Sequence, residues 1–135
     1  MPRPLRTRPV SAAQVRAYAG TAQEFADAAI NELAAGRFIA ASSLAVHAGI
    51  NAADAVCGAR IGQRAAGDDH SQVLVLLGEA GRDGGEVERE LRRLLPLKTT
   101  TEYEPDDVAQ STATKAVERA TRCAQIAQRV ASSLM

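Results

Sequence analysis

The sequence predicts an all-α protein, an antiparallel bundle of four to five helices in one domain. A chain of 135 residues is long enough for a single core. Alanine supplies much of the 46% hydrophobic content, whereas aromatic residues make up only 3%. Alanine favours helices, and strands favour aromatic and β-branched residues. Apolar residues also recur at steps of three and four, which is the spacing of one helix face.

The first ten residues are expected to form a flexible, basic arm ahead of a helical domain over residues 11–135. They contain three prolines and three arginines. Proline breaks regular structure, and like charges repel one another. The arm has no apolar stretch of the kind that marks a secretory signal. No apolar run approaches the ~20 residues that cross a bilayer, so we expect a cytoplasmic protein that makes no membrane contact.

Two long helices are expected at the start of the bundle. Ser11 can cap the first, with Gln14 at the capping-box position, and Gly36 is a natural stop. The second is expected over residues 37–66 and ends at Gly67. A short glycine turn between them would make the two helices antiparallel neighbours.

A third helix is expected after Asp68 or Asp69, either of which can cap it. Its apolar run over residues 73–77 could be a strand on periodicity alone. The cap signal before it, and the lack of a visible partner strand, favour the helix.

Two further helices complete the predicted bundle. A short one over residues 86–95, with a solvated charged face, is expected to end near Pro96. A threonine-rich loop follows over residues 98–104. The last helix is expected to begin at Pro105 and to run to about Leu134.

Charge and cysteine content exclude several classes of function. The formal net charge is zero, so the chain lacks a uniformly basic surface for nucleic acid, although a local patch is possible. Cys57 and Cys123 lie far apart and in no zinc-type spacing, so we expect reduced thiols in the core. Two histidines and two separated cysteines predict no metal site, and no cofactor is expected.

The strongest candidate site is the corner between the second and third predicted helices. Arg64 is expected in the last turn of one, His70 in the first turn of the next, and Gly67 reverses the chain between them. The first turn of a helix, where Asp69 and Ser71 flank His70, offers unpaired amides that favour anions. Histidine can transfer a proton near neutral pH, and arginine can hold two phosphate oxygens. These groups could cleave RNA without a metal. Alternatively, Arg64 caps helix carbonyls and His70 is an exposed polar residue.

In motif and segment order the chain resembles the HEPN superfamily, helical-bundle proteins marked by an Arg, four to six residues, and then a His. Arg64 and His70 have five residues between them. The context is also similar: LAVHAGINAADAVCGARIGQR precedes GDDH, an apolar helix follows, and LLPLKTTTEYEP precedes an alanine-rich last helix. The resemblance covers roughly residues 15–132.

The resemblance implies a metal-independent endoribonuclease, a toxin or phage-defence component whose active site forms where two subunits pair. In such a homodimer His70 would be the acid/base and Arg64 the phosphate clamp, with RNA as substrate and an antitoxin or nucleotidyltransferase as possible partner. The chain departs from the family at Ala65, where active members often have a polar residue. It also has Gln72 where some members carry the Tyr that a nucleotidyltransferase modifies. A catalytically inactive HEPN-like module that binds a nucleotide, RNA or protein remains the alternative.

A polar stripe on the second helix is the second candidate. Ser43, His47, Asn51 and Asp54 share one face among apolar neighbours. Burying such groups is costly unless they are hydrogen-bonded. The stripe is therefore either a satisfied network in the core or dimer seam, or a substrate pocket that includes His47, Asn51 and Asp54. Tyr103, in the predicted loop, is a further candidate for substrate contact. The stripe and the alanine-rich faces together predict a two-fold dimer.

Overall fold

A computed structural model of the chain confirms the predicted all-α bundle. It describes residues 5–67, 69–103 and 108–134, with the side chains of residues 100–103 outside the description. Within these residues the chain forms five helices and one small antiparallel sheet of two strands. In chain order the elements are β1 (Thr7–Pro9), α1 (Ala12–Ala34), α2 (Phe38–Ile61), β2 (Gln63–Ala65), α3 (Ser71–Gly78), α4 (Gly81–Tyr103) and α5 (Gln110–Ser132).

Helix α2 is the centre of the bundle. Helices α1, α4 and α5 all pack on it, and most of its buried positions are alanine, glycine or serine, which allow close approach between helices. Among the described helices α2 alone is long and apolar enough to cross a membrane, contrary to the expectation that no run approaches that length. Its burial by three neighbouring helices is that of a core helix and is compatible with a soluble protein.

The first helix begins and ends as the sequence predicts. The Ser11 side chain accepts a hydrogen bond from the Gln14 amide at 3.1 Å, and the Gln14 side chain accepts from the Ser11 amide at 2.9 Å. Gly36 then adopts a φ of +78°, a left-handed conformation that suits glycine. The capping box therefore fixes the start of α1, and the glycine turn joins α1 to α2.

The second helix ends earlier than predicted. It stops at Gly62, which has a φ of +76° and whose amide donates to the Gly58 carbonyl at 3.0 Å. The next three residues, Gln63–Ala65, are not helical but form β2. The predicted extension of this helix to residue 66 is therefore wrong, because an earlier glycine provides the stop.

The partner of β2 comes from the segment expected to be a flexible arm. In the described part of that segment Thr7–Pro9 forms β1, and Val10 is only 8% exposed. A Cβ atom at Gly58 would lie 2.6 Å from Val10 Cγ1, so Val10 packs directly on the α2 backbone. The Val10 amide also donates to the Gly62 carbonyl at 2.9 Å. Residues 7–10 are thus part of the folded domain.

The third helix is a helix as predicted, and its start is close to the expected cap. It begins at Ser71 with His70 at the N-cap, and the Asp69 carboxylate accepts the Ser71 amide at 2.9 Å. Gln72 lies in the first turn of this helix. Its side chain is buried, and its Oε1 lies 2.6 Å from where a Cβ at Gly67 would be, so it fills the turn before the helix.

The fourth helix is much longer than predicted. It begins at Gly81 rather than Glu86 and continues through Pro96 to Tyr103, so a loop over residues 98–103 is wrong. Pro105, the predicted start of the last helix, lies outside the described residues, and α5 is described from Gln110.

Ion pairs of one buried and one half-buried carboxylate attach α4 to its neighbours. Glu90 is 8% exposed and accepts from Arg119 at 3.1 Å and Arg122 at 2.9 Å on α5. Asp83 accepts from Arg60 of α2 at 2.6 Å and from Arg129 of α5 at 2.7 Å. Glu90, on the face expected to be solvated, is therefore buried, and Asp83 before that face also holds the helix against its neighbours.

Candidate functional site

Arg64 lies on strand β2, not in the last turn of a helix as predicted. It is half-buried, and its Nη1 donates to the carbonyl of Ala65 at 3.3 Å. Because that carbonyl belongs to a strand, Arg64 does not cap the end of α2. The following residue, Ala65, is 8% exposed and packs into the core.

His70 lies at the N-cap of α3, six positions along the same connection between α2 and α3. It is half-buried, whereas Asp69 and Ser71 on either side are exposed. The Asp69 carboxylate already accepts one of the free amides of this helix start. Arg64 and His70 therefore both retain solvent-accessible surface on one short segment.

Asp54 on α2 is the residue of the polar stripe that the fold places near Arg64. Burial raises the pKa of the Asp54 carboxyl from its ordinary value of 3.8 to about 6, although the positive charge of Arg64 acts to lower it. No hydrogen bond reaches this carboxylate from any residue that the structure describes. Among the described residues, the positive charge of Arg64 is thus what favours the ionised form of Asp54. The two side chains are too far apart to form an ion pair.

Two other residues of the stripe have partners within α1 and α2. The His47 ring packs on Phe25 of α1, with ring centroids 5.6 Å apart and planes tilted by 33°. Asn51 Nδ2 donates to the His47 carbonyl at 2.8 Å. Ser43 is half-buried like the rest. The structure therefore connects Asp54 to Arg64 but gives His47 and Asn51 local packing roles.

The remaining candidates are not brought to this corner by any described contact. Tyr103 is the last residue of α4, and its side chain lies outside the described part of the chain. A surface cavity of about 710 Å³ lies instead between the α1–α2 turn and the start of α5. Its wall includes Phe38 at the start of α2, whereas Arg64 follows the end of that helix.

Neither cysteine is suited to act as a nucleophile. Cys57 and Cys123 are buried and free. Burial raises the pKa of each thiol to about 12, and the negative charge of Asp54 adds to the effect at Cys57. Over the described ranges no three metal-ligating side chains come together. Arg64, His70 and Asp54 are thus the chemically competent groups of this region.

Arg8 also belongs to this region, although it was not a predicted site residue. The strand register places it directly opposite Arg64, and it is exposed. The alternation of arginine with other residues in the sequence Leu5-Arg-Thr-Arg-Pro is the signal that could have indicated a strand. Its short length and its proline favoured the interpretation as an arm.

No protein-family model and no curated protein matches the chain. The residues of the corner are therefore the basis for its proposed function.

Stability should respond to Asp54 in a pH-dependent manner. The pKa of this carboxyl is higher in the folded state than in the unfolded chain, so stability should fall as pH rises from about 4 to 6. Asp54→Asn removes the buried charge. We expect it to stabilise the protein by about 1–2 kcal/mol at pH 8, with the gain vanishing near pH 4. Urea unfolding at pH 4, 6 and 8 measures this.

Asp27→Asn is a matched control, because Asp27 is an exposed carboxylate on α1. It should change stability little at any of these pH values. A loss of stability at pH 8 in Asp54→Asn would instead show that Arg64 binds the ionised carboxylate favourably.

Proposed function

We propose that the chain is a metal-independent endoribonuclease of the HEPN type, with Arg64 and His70 as its reacting residues. The observation that carries the proposal is the placement of a half-buried arginine and a half-buried histidine on one connection, beside the start of α3. A partly buried arginine holds a phosphate more strongly than one fully surrounded by water. Histidine is the side chain best suited to proton transfer near neutral pH.

The proposed reaction is attack of a ribose 2′-hydroxyl on the adjacent phosphate. The 2′-oxygen forms a bond to phosphorus, and the bond from phosphorus to the 5′-oxygen of the next nucleotide breaks. The products are a 2′,3′-cyclic phosphate and a free 5′-hydroxyl. The 2′-hydroxyl loses a proton and the leaving 5′-oxygen gains one; His70 serves one of these transfers and water the other, and Arg64 stabilises the charge that builds on the phosphate. Asp69, Ser71 and Asp54 are the further residues of this region that we propose to contact the substrate.

We propose that the working form is a two-fold homodimer in which the corners of both subunits face one cleft. One large apolar side chain remains exposed on the helix that follows the corner: Val75 of α3 is 58% exposed. Contact with a second copy would remove such surface from water. In this proposal the enzyme acts in the cytoplasm as a toxin or phage-defence component, held in check by an antitoxin or a nucleotidyltransferase.

A binding module without catalytic activity is the second candidate, and one observation favours it. Ala65 follows the motif arginine and packs into the core, so it offers the site no polar group. If a polar side chain at that position is needed for cleavage, the corner would bind RNA, a nucleotide or a protein without reacting.

Cleavage of RNA by the purified protein separates the two candidates. We expect wild-type protein to cut a mixed-sequence RNA in the presence of EDTA and to leave 2′,3′-cyclic phosphate ends. Arg64→Ala should reduce both binding and cleavage, because the clamp acts in the ground state and more strongly in the transition state. Arg64→Lys keeps the charge but loses the bidentate contact. Its binding and cleavage should therefore fall between those of Arg64→Ala and wild-type protein.

Binding of RNA by wild-type protein without any cleavage would support the binding module. Loss of cleavage in EDTA would reject metal independence.

A further inference from the structure

Two arginines stand directly opposite each other in the small sheet. The register of β1 and β2 pairs Arg8 with Arg64. Opposite residues of an antiparallel pair point to the same face of the sheet. The Val10 amide bonds to the Gly62 carbonyl and the Ala66 amide to the Arg6 carbonyl. These bonded pairs lie two residues before and two residues after Arg8 and Arg64. Because hydrogen-bonded pairs alternate along an antiparallel ladder, Arg8 and Arg64 also occupy a hydrogen-bonded pair, with Cα atoms about 5.5 Å apart.

Such an arrangement is unfavourable unless an anion lies between the two side chains. Like charges directly opposite each other destabilise a strand pair. Arg8 makes no ion pair with any residue within the described ranges, and its side chain is exposed. The negative charge of Asp54 acts on Arg64 from the α2 side. Of the two arginines, Arg8 is therefore the one whose charge no described residue balances, and it is available to bind an anion.

The backbone holds the two arginines in this register. Val10 is packed onto Gly58 at one end of β1, and the Ala66 amide donates to the Arg6 carbonyl at 2.8 Å at the other end. Because both ends are attached to α2 or to the connection after it, the backbone of Arg8 is positioned before any ligand arrives. A preorganised pair binds without the entropic cost of ordering a free arm.

We propose that Arg8 and Arg64 form one clamp for a phosphodiester group, with Arg8 as a substrate-binding residue of the corner. The two guanidinium groups can share the oxygens of one phosphate or hold two successive phosphates of a single strand. That the phosphodiester belongs to RNA rests on the proposed function. The clamp would extend the binding surface from the start of α3 across the two-stranded sheet.

Salt-dependent binding to an RNA that cannot react tests the clamp. The probe is a single-stranded oligonucleotide with 2′-O-methyl riboses, which lack the attacking hydroxyl. We expect Arg8→Ala to weaken binding by about tenfold near 0.1 M salt, and to reduce the slope of log K against log salt by about 0.7 for each phosphate that the variant no longer neutralises. Arg93→Ala is the control, because Arg93 is exposed on α4 beside a groove formed with α5.

The outcomes separate the clamp from the proposed enzyme. Equal affinities for Arg8→Ala and wild-type protein, or equal losses for Arg8→Ala and Arg93→Ala, would overturn the clamp. Arg8-dependent binding by a protein that leaves unmodified RNA intact would keep the clamp and reject the enzyme. If no RNA binds, a titration with pyrophosphate, followed by NMR of the arginine side chains, tests whether the pair binds an anion. Perturbation of Arg8 and Arg64 would retain an anion site, and no perturbation would reject it.

Discussion

His70→Ala should lower the rate of RNA cleavage by about 10²–10⁴-fold, which is the usual loss when a positioned acid or base is removed. Binding of the unreactive 2′-O-methyl RNA should change little, because the imidazole acts mainly on protons in transit and Arg64 remains. His70 lies at the start of α3 and is half-buried, so the substitution should not unfold the bundle. Single-turnover cleavage and a separate binding titration measure the two effects.

His47→Ala is the matched control for this experiment. His47 is the other histidine of the chain, and it is also half-buried, but its ring packs on Phe25 of α1. Its loss should reduce stability modestly and leave the cleavage rate per folded molecule unchanged. Equal loss of cleavage in both variants, or none in His70→Ala, would remove His70 from the proposed mechanism.

Gly84→Ala should destabilise the protein, although alanine favours helices more than glycine does. A Cβ atom at this position would overlap the carbonyl oxygen of Leu77 and lie 2.6 Å from the Cβ of Ala80. The first atom is backbone of α3 and the second is the Cβ of the connection before α4, so neither can rotate away as the end of a flexible side chain can. Overpacking of this kind costs about 1–3 kcal/mol. Thermal or urea unfolding measures the loss.

Gly85→Ala, one residue further along α4, should have the opposite sign. A Cβ atom there meets nothing within 4 Å, so alanine should stabilise the helix by about 0.5–1 kcal/mol. If both variants were stabilised, the close approach of α4 to the Leu77 carbonyl would be wrong.

Local signals in the sequence predicted the elements that depend on local interactions. The capping box at Ser11 and Gln14 and the turn at Gly36 are as expected, because they involve groups within a few residues of one another. Pro96 shows where such signals fail. Proline has no amide hydrogen, so Pro96 removes one helical hydrogen bond. Leu94, two residues before it, is nevertheless fully buried, and α4 continues to Tyr103. Here packing against the bundle outweighs the local preference to end the helix.

The sequence named the residues of the candidate site but not all of the secondary structure that carries them. The segment containing Arg64 and His70 was identified from spacing, but the strand that carries Arg64 was not. A strand of three residues is too short to show periodicity, and its hydrogen-bonding partner lies far away at the start of the chain. For the same reason the pairing with Arg8 could not be inferred. The raised pKa of Asp54 depends on burial, which a single helix pattern does not specify.

The strand pairing also constrains the order in which the protein folds. Fifty-six positions separate Thr7 from Gln63, whose side chains are hydrogen-bonded across the sheet, and the α1–α2 hairpin fills the interval. In an unfolded chain, joining such distant segments has a large loop-closure cost. Once the hairpin has formed, its two ends are already neighbours and that cost has largely been met. The surface that carries Arg8 and Arg64 should therefore be assembled after the first two helices have docked, as a late event that depends on their contact.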